Sequence, residues 1–277
     1  TEGDTKLKVT VEIAEGLTSS SISASGGITF RTDTAAEKNG QGTYTYMPAV
    51  VEVLDGPITK DRVLTADSKV VVDDAHASDI GVSAAYNGDD SITVDMVNHG
   101  LRLEAASSAS AKAAAVRVGK GTDGNKKSIS FINMEKNKPL VISADQTNGR
   151  EATGIYVSEN GKLSVAGDVV IDKVSTSGRM AYGVANRGPN AELIIKGGLK
   201  IAGTGADEWR TVKAAKDTTG ISVTAIANIG NNAKLTIEGP LDVKIQGTAI
   251  NSTAKGGVMR LGSGRILTPM DEHAQGN

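Results

Sequence analysis

With 277 residues, 30 Lys and Arg against 32 Asp and Glu, and a formal charge of −2, the chain has no basic field to neutralise phosphates, which argues against a nucleic-acid partner. Cysteine is absent, so disulfides, thiolate metal sites and cysteine nucleophiles are excluded together. Aromatics make up only 3% of residues while glycine numbers 33, which points to a core of Val, Ile, Leu and Ala in closely stacked layers rather than one built around large rings.

Residues 1–79 alternate as strands do. Leu7, Val9, Val11 and Ile13 share one face; Ile28 and Phe30 follow Gly26-Gly27; and the run Val50 to Leu54 stops at Asp55-Gly56-Pro57. Val70-Val71-Val72 predicts one more strand before a regular pattern begins. The expectation for 1–79 is early coils with large insertions together with a partial cap, because an uncovered first edge would invite aggregation.

From residue 80 to 277 a repeating unit recurs: a short apolar piece opening with Gly, an Asn/Gly/Asp turn, then two short alternating strands. It runs through Ile80-Gly81-Val82, the turn Asn87-Gly88-Asp89, Ile92-Thr93-Val94 and Leu101-Arg102-Leu103. The next copy has Ala115-Val116-Arg117-Val118, then Ile129-Ser130-Phe131 and Leu140-Val141-Ile142. Copies three to five open at Gly154-Ile155-Tyr156-Val157, Gly183-Val184 and Gly220-Ile221-Ser222-Val223, and a degraded sixth has Ala249-Ile250 and Val258-Met259-Arg260-Leu261. The middle strands open at Ile92, Ile129, Leu163, Leu193, Leu235 and Met259, giving steps of 37, 34, 30, 42 and 24 residues, the variable spacing of a solenoid.

Each apolar piece spans three to five residues between turn formers, too short for helices. Ala105 to Ala115 is the one stretch that could try a helix, and it reads as strand plus loop. Three strands recurring as a set, with like residues at like positions, favour a coil over a sandwich of hairpins. The predicted fold is an all-β, right-handed parallel β-helix of three-strand rungs, about 8–10 of them, in which equivalent Ile, Val and Leu stack about 4.8 Å apart. Glycine opening the first strand is expected to relieve a tight corner.

The segments 154–171, 183–201 and 220–245 resemble coils in passenger domains of Gram-negative monomeric autotransporters. The resemblance covers roughly residues 80–265. It implies an extracellular rod exported across the outer membrane by a C-terminal barrel, acting in adhesion at the bacterial cell surface. Neither a signal peptide nor a barrel strand is read at the ends of this chain, so it is taken as a passenger fragment. No stretch approaches the roughly 20 apolar residues of a membrane span, so no membrane insertion of this fragment is expected.

The motifs for chemistry are sparse. Neither Gly-Asp-Ser-Gly nor Gly-x-Ser-x-Gly occurs, and His76, His99 and His273 are not at metal-ligand spacing. A β-helix polysaccharide lyase or hydrolase would need converging carboxylates; the acidic doublets are Asp73-Asp74 and Asp89-Asp90, at a strand end and in a turn where Asp is common anyway. No enzyme, cofactor or metal is therefore expected. Solenoids vary in their insertions, which directs attention to the 42-residue step and its Asp207-Glu208-Trp209-Arg210, holding the only Trp. Trp and Arg are favoured interface anchors, although the same Trp folded back on the rod would serve packing. Tyr44 and Tyr46 form a second candidate contact or, equally, part of a cap. The expected partner is a host receptor, matrix protein or glycan, or a second copy of the protein; a pure spacer is the remaining possibility.

Overall fold

A computed structural model describes residues 51–268 except 89, 123–124, 204–207 and 216–222, together with the backbone of two strands further upstream. Those two, β1 (Val9–Glu12) and β2 (Thr43–Tyr46), pair antiparallel within a unit spanning Thr1–Val51. Glu52–Asn277 forms the second unit, and every strand-to-strand pairing within it is parallel.

Three sheets run along this unit, and the chain visits them in fixed order. Sheet I holds β3 (Glu52–Leu54), β5 (Ser68–Val72), β8 (Leu101–Ser107), β11 (Leu140–Gln146), β14 (Val169–Thr176), β17 (Leu199–Ile201), β21 (Leu241–Lys244) and β24 (Gly264–Leu267), with β18 (Val212–Ala214) beside β14. Sheet II holds β6 (Val82–Tyr86), β9 (Ala113–Val118), β12 (Ala152–Val157), β15 (Ala181–Asn186), β19 (Val223–Asn228) and β22 (Thr248–Ser252). Sheet III holds β4 (Arg62–Val63), β7 (Ile92–Asp95), β10 (Lys127–Ile132), β13 (Gly161–Val165), β16 (Glu192–Ile195), β20 (Lys234–Ile237) and β23 (Val258–Leu261). Passing once through I, II and III makes one rung of a right-handed parallel β-helix. Seven turns are complete, the first crossing sheet II by the single bridge Ile58–Ala85, and β24 begins an eighth. At a rise of about 4.8 Å per rung, seven turns span about 34 Å. The seven turns take the 210 residues from Glu52 to Leu261, 30 per turn as the repeat predicts, and the count falls below the expected 8–10 because Thr1–Val51 forms a unit of its own.

The register of sheet III is the one read from the repeat. Ile92, Ile129, Leu163, Leu193, Leu235 and Met259 lie opposite one another rung after rung. A second interior column runs Val70, Leu103, Ile142, Ile171, Ile201 and Val243 along sheet I. Nearly all of these side chains are fully buried in one continuous core. Each apolar side chain thus touches its own kind above and below, and a rung's fit depends on its two neighbours.

Two expectations about the first strand need correcting. Gly154 and Gly183 do not sit at a corner; they lie mid-strand in a column of Ala84, Ala115, Gly154, Gly183, Ala225 and Ala249. Their role is close approach: a Cβ on Gly154 would lie 2.5 Å from the Gly183 oxygen and 2.8 Å from Ile171 Cδ1. In the fifth copy, residues 220–222 lie outside the described residues, and Val184 pairs with Ile226 instead of Ile221. The five-residue slip follows from Asn186, whose buried amide donates to Asn228 Oδ1 at 2.8 Å and to the Lys234 carbonyl at 3.0 Å. Only the Ala225-Ile226 register stacks those two asparagines.

The corners between sheets II and III use left-handed asparagines, as expected for this residue. Asn160, Asn190 and Asn232 have φ of 52°, 57° and 58°. Their side chains form a ladder, Asn190 Nδ2 donating to Asn160 Oδ1 at 3.1 Å and Asn232 Nδ2 to Asn190 Oδ1 at 3.4 Å. Ala105 to Ala115, expected as strand plus loop, ends β8, crosses a loop and then opens β9 at Ala113.

Candidate functional site

The positions of sheet II that point away from the main core stand apart from those of the other sheets: most are themselves buried, with Tyr86 and Tyr156 partly exposed. One column carries Ser83, Ala114, Thr153, Tyr182 and Thr224, and the next carries Tyr86, Arg117, Tyr156, Ala185 and Ala227. Three of the five tyrosines of the chain are therefore on this face, and Tyr182, Ala185 and Ala227 form a small apolar cluster with Tyr156 and Ile229, separate from the main core. The guanidinium of Arg117 lies 4.8 Å from the centre of the Tyr156 ring, and that of Arg187 lies 5.4 Å from the Tyr182 ring. Arg117 is 8% exposed; burial pulls its guanidinium below the ordinary value, while Tyr156 and Glu151 act the other way. Ser83 Oγ accepts from Arg117 Nε at 3.4 Å.

At the edge of the same face, where the chain enters sheet II from sheet I, stands Glu151. Its side chain is 4% exposed and its carboxylate is held by Arg187 at 3.1 Å and Lys112 at 3.8 Å, with Thr153 Oγ1 donating at 3.2 Å. Beside it opens a cleft of about 220 Å³ lined by Gly149, Arg150, Glu151, Gly178, Arg179 and Met180. Lys112 and Arg187 thus meet on one carboxylate, with Arg150 and Arg179 lining the cleft beside it.

The sequence candidates lie elsewhere. Asp207 is outside the described residues, as are the side chains of Tyr44 and Tyr46, whose backbone is in β2. Glu208, Trp209 and Arg210 sit beside the seventh rung: the Trp209 carbonyl accepts from Gln246 N at 2.8 Å, Arg210 Nε donates to Gln246 Oε1 at 3.1 Å, and Glu208 pairs with Lys244. Lys244 Nζ is 5.6 Å from the centre of the half-buried indole. The structure therefore brings Glu208, Trp209 and Arg210 together, but not with the tyrosine face.

The acidic doublets have local employment. Asp73 caps the 3-10 turn Asp74–His76, and the Asp74 carboxylate accepts from Ser107 Oγ, the amide and hydroxyl of Ser108, and the Ala109 amide. Those bonds, led by the Ser107 hydroxyl, hold Asp74 below its ordinary range. Asp89 lies outside the described residues, and Asp90 donates its amide to the Asn87 carbonyl within the turn. Among the described residues no group of three or more His, Asp or Glu is arranged to hold a metal ion.

Sequence reasoning missed the tyrosine and arginine face, although the signal was present in part. The repeat already set Arg117 opposite Tyr156, in the outward slot of equivalent strands. Tyr86 and Tyr182 required the true register of β6 and β15, and the basic cleft required the loops that enter sheet II. Neither a family model, nor a curated protein, nor a solved structure matches this chain.

Proposed function

We propose that this chain is a non-catalytic binding segment of a bacterial cell-surface adhesin, the passenger part of an exported autotransporter rod. The observation that carries the reading is the contrast between core and face. Interior columns repeat one residue kind from rung to rung, whereas three tyrosines and two arginines interleave on the outer face of sheet II. A scaffold that varies only outward is suited to contact, and Tyr and Arg are the side chains most often found at energetic centres of interfaces. The resemblance of 154–171, 183–201 and 220–245 to passenger coils supplies the cellular setting: exported, extracellular, and directed at a host receptor, matrix protein or glycan, or at the same protein on a neighbouring cell.

The test is binding of the purified chain to matrix proteins, glycans and whole cells, repeated with Tyr156→Ala, Trp209→Ala and replacement of residues 204–210, ahead of β18, by a short Gly-Ser linker. Saturable binding weakened about tenfold by Tyr156→Ala is expected, from the loss of an aromatic contact and of the Arg117 cation–π pair. Binding undiminished in all three variants would sink both contact surfaces. Chain-shortened polysaccharide products in the same mixtures would favour an enzyme instead, and no binding at all would favour a spacer.

A further inference from the structure

The cleft between the fourth and fifth rungs has chemistry that contact with a protein does not require. Its floor is two stacked glycines: Gly149 adopts φ +74°, and a Cβ on Gly178 would fall 2.4 Å from the Gly149 oxygen. Nothing lies within 4 Å of the point where a Gly149 Cβ would stand, so this floor is open. Arg150 and Arg179 rise from equivalent positions of consecutive rungs, since Ala152 pairs with Ala181 two residues later. Among the described residues neither has a carboxylate partner, because Glu151 is taken by Arg187 and Lys112. Met180, 37% exposed, supplies the apolar wall, with the Tyr182 hydroxyl 4.0 Å from its sulfur.

From these residues we infer that the cleft is a subsite for one acidic sugar of an anionic glycan, its carboxylate or sulfate taken by Arg150 and Arg179. This inference rests on the adhesive reading and gives its ligand a chemical class. Paired guanidinium groups match the planar oxygens of carboxylate and sulfate two bonds at a time. The volume of about 220 Å³ falls below the roughly 300 Å³ at which pockets begin to enclose a whole small molecule, so a residue of a longer chain suits it better than a free metabolite. Met180 and the bare floor accept the C–H face of a sugar ring. An acidic peptide is the poorer occupant, because the usual route of strand addition is closed: β12 and β15 are already paired on both sides.

The test is calorimetric titration of the chain with four probes: a heparin-derived hexasaccharide, hexagalacturonate, maltohexaose and hexaglutamate. Both anionic sugars should bind, more weakly as salt rises, and maltohexaose and hexaglutamate should not. Preference between the first two assigns sulfate or carboxylate as the group recognised. Arg150→Ala and Arg179→Ala should each weaken binding about tenfold, equal to the loss of one charge-assisted contact, while Lys200→Ala with Lys213→Ala should change nothing. Since both arginines project from exposed loops, an unchanged thermal midpoint will accompany the loss. Binding that survives both arginine substitutions, falls equally with the lysine pair, or extends equally to hexaglutamate overturns the subsite. Cell binding unaffected by the arginine substitutions would overturn the subsite's role while leaving adhesion intact; glycan binding without any cell or matrix binding would overturn adhesion alone.

Discussion

Replacing Gly154 by Ala tests how rigidly consecutive rungs are stacked. The added methyl would meet the Gly183 carbonyl oxygen at 2.5 Å and Ile171 Cδ1 at 2.8 Å, both inside contact distance. Overpacking of this kind costs about 1–3 kcal/mol. Ala also narrows the unfolded ensemble, returning about 0.4–1 kcal/mol at an ordinary φ, so a net loss of about 1–2 kcal/mol is expected. Ile171→Val removes the offending Cδ1 and alone costs about 0.5–1.5 kcal/mol. In the double variant the methyl of residue 154 enters the space the Cδ1 has left, and only the contact with the Gly183 oxygen persists. The two losses should therefore fall short of additivity by about 0.5 kcal/mol or more. Urea unfolding, followed at once by far-ultraviolet dichroism and by fluorescence of the single Trp209, measures all four proteins, and coincident curves license a two-state treatment. Strict additivity, or a Gly154→Ala protein as stable as its parent, would refute the close-approach account of this column.

Acid should destabilise the coil in a defined window. Burial raises the Asp67 carboxyl, but the Lys138 side chain and the Gly100 amide outweigh it and bring the net value below 3.8; Glu192 is likewise raised by burial, and its bond to Lys126 carries it net below 4.5. A carboxylate with a depressed folded value contributes stability that is complete above its unfolded value and lost as pH falls through the folded one. Thermal midpoints should hold from pH 7 to about 4.5 and then drop, less steeply in Asp67→Asn; a midpoint indifferent to acid down to pH 2 contradicts this. At the II-to-III corner, Asn190 holds φ 57° and bonds Asn160. Asn190→Val should cost about 1–2 kcal/mol for the left-handed backbone beyond the loss of its bonds to Asn160 and Asn232, whereas Asn190→Gly loses the bonds without that backbone strain; equal urea midpoints for the two would show that conformation is not the constraint.

Most of the scaffold was legible because repetition states the same packing rule many times. The sheet III column from Ile92 to Met259 was read directly, since each strand opens with a large aliphatic residue after a turn former. Sheet II was harder. Its interior column is only Gly or Ala, whose pattern is weak, and the string from 220 to 228 contains two overlapping candidates. The choice between them depends on Asn186 bonding Asn228, a tertiary contact that no local pattern encodes. Arg150 and Arg179 were illegible for a similar reason: they precede their strands, in loops where residue type obeys no period.

Where charge remains available for a ligand depends on how the cations are paired. On sheets I and III, several cations are matched across rungs by acids, as in Arg102 with Asp172, Lys173 with Asp145 and Lys126 with Glu192. Such pairs cancel their own field within a few ångströms. On sheet II, Arg117 lies over Tyr156, and Arg187 lies over Tyr182 while also pairing with Glu151 at 3.1 Å. A ring face holds a guanidinium in place through its quadrupole yet carries no net charge to neutralise it. Arg150 and Arg179 have neither a ring nor a carboxylate partner among the described residues, in a chain whose total charge is −2. On the proposed reading, these two guanidinium groups draw an anionic ligand to this edge of sheet II.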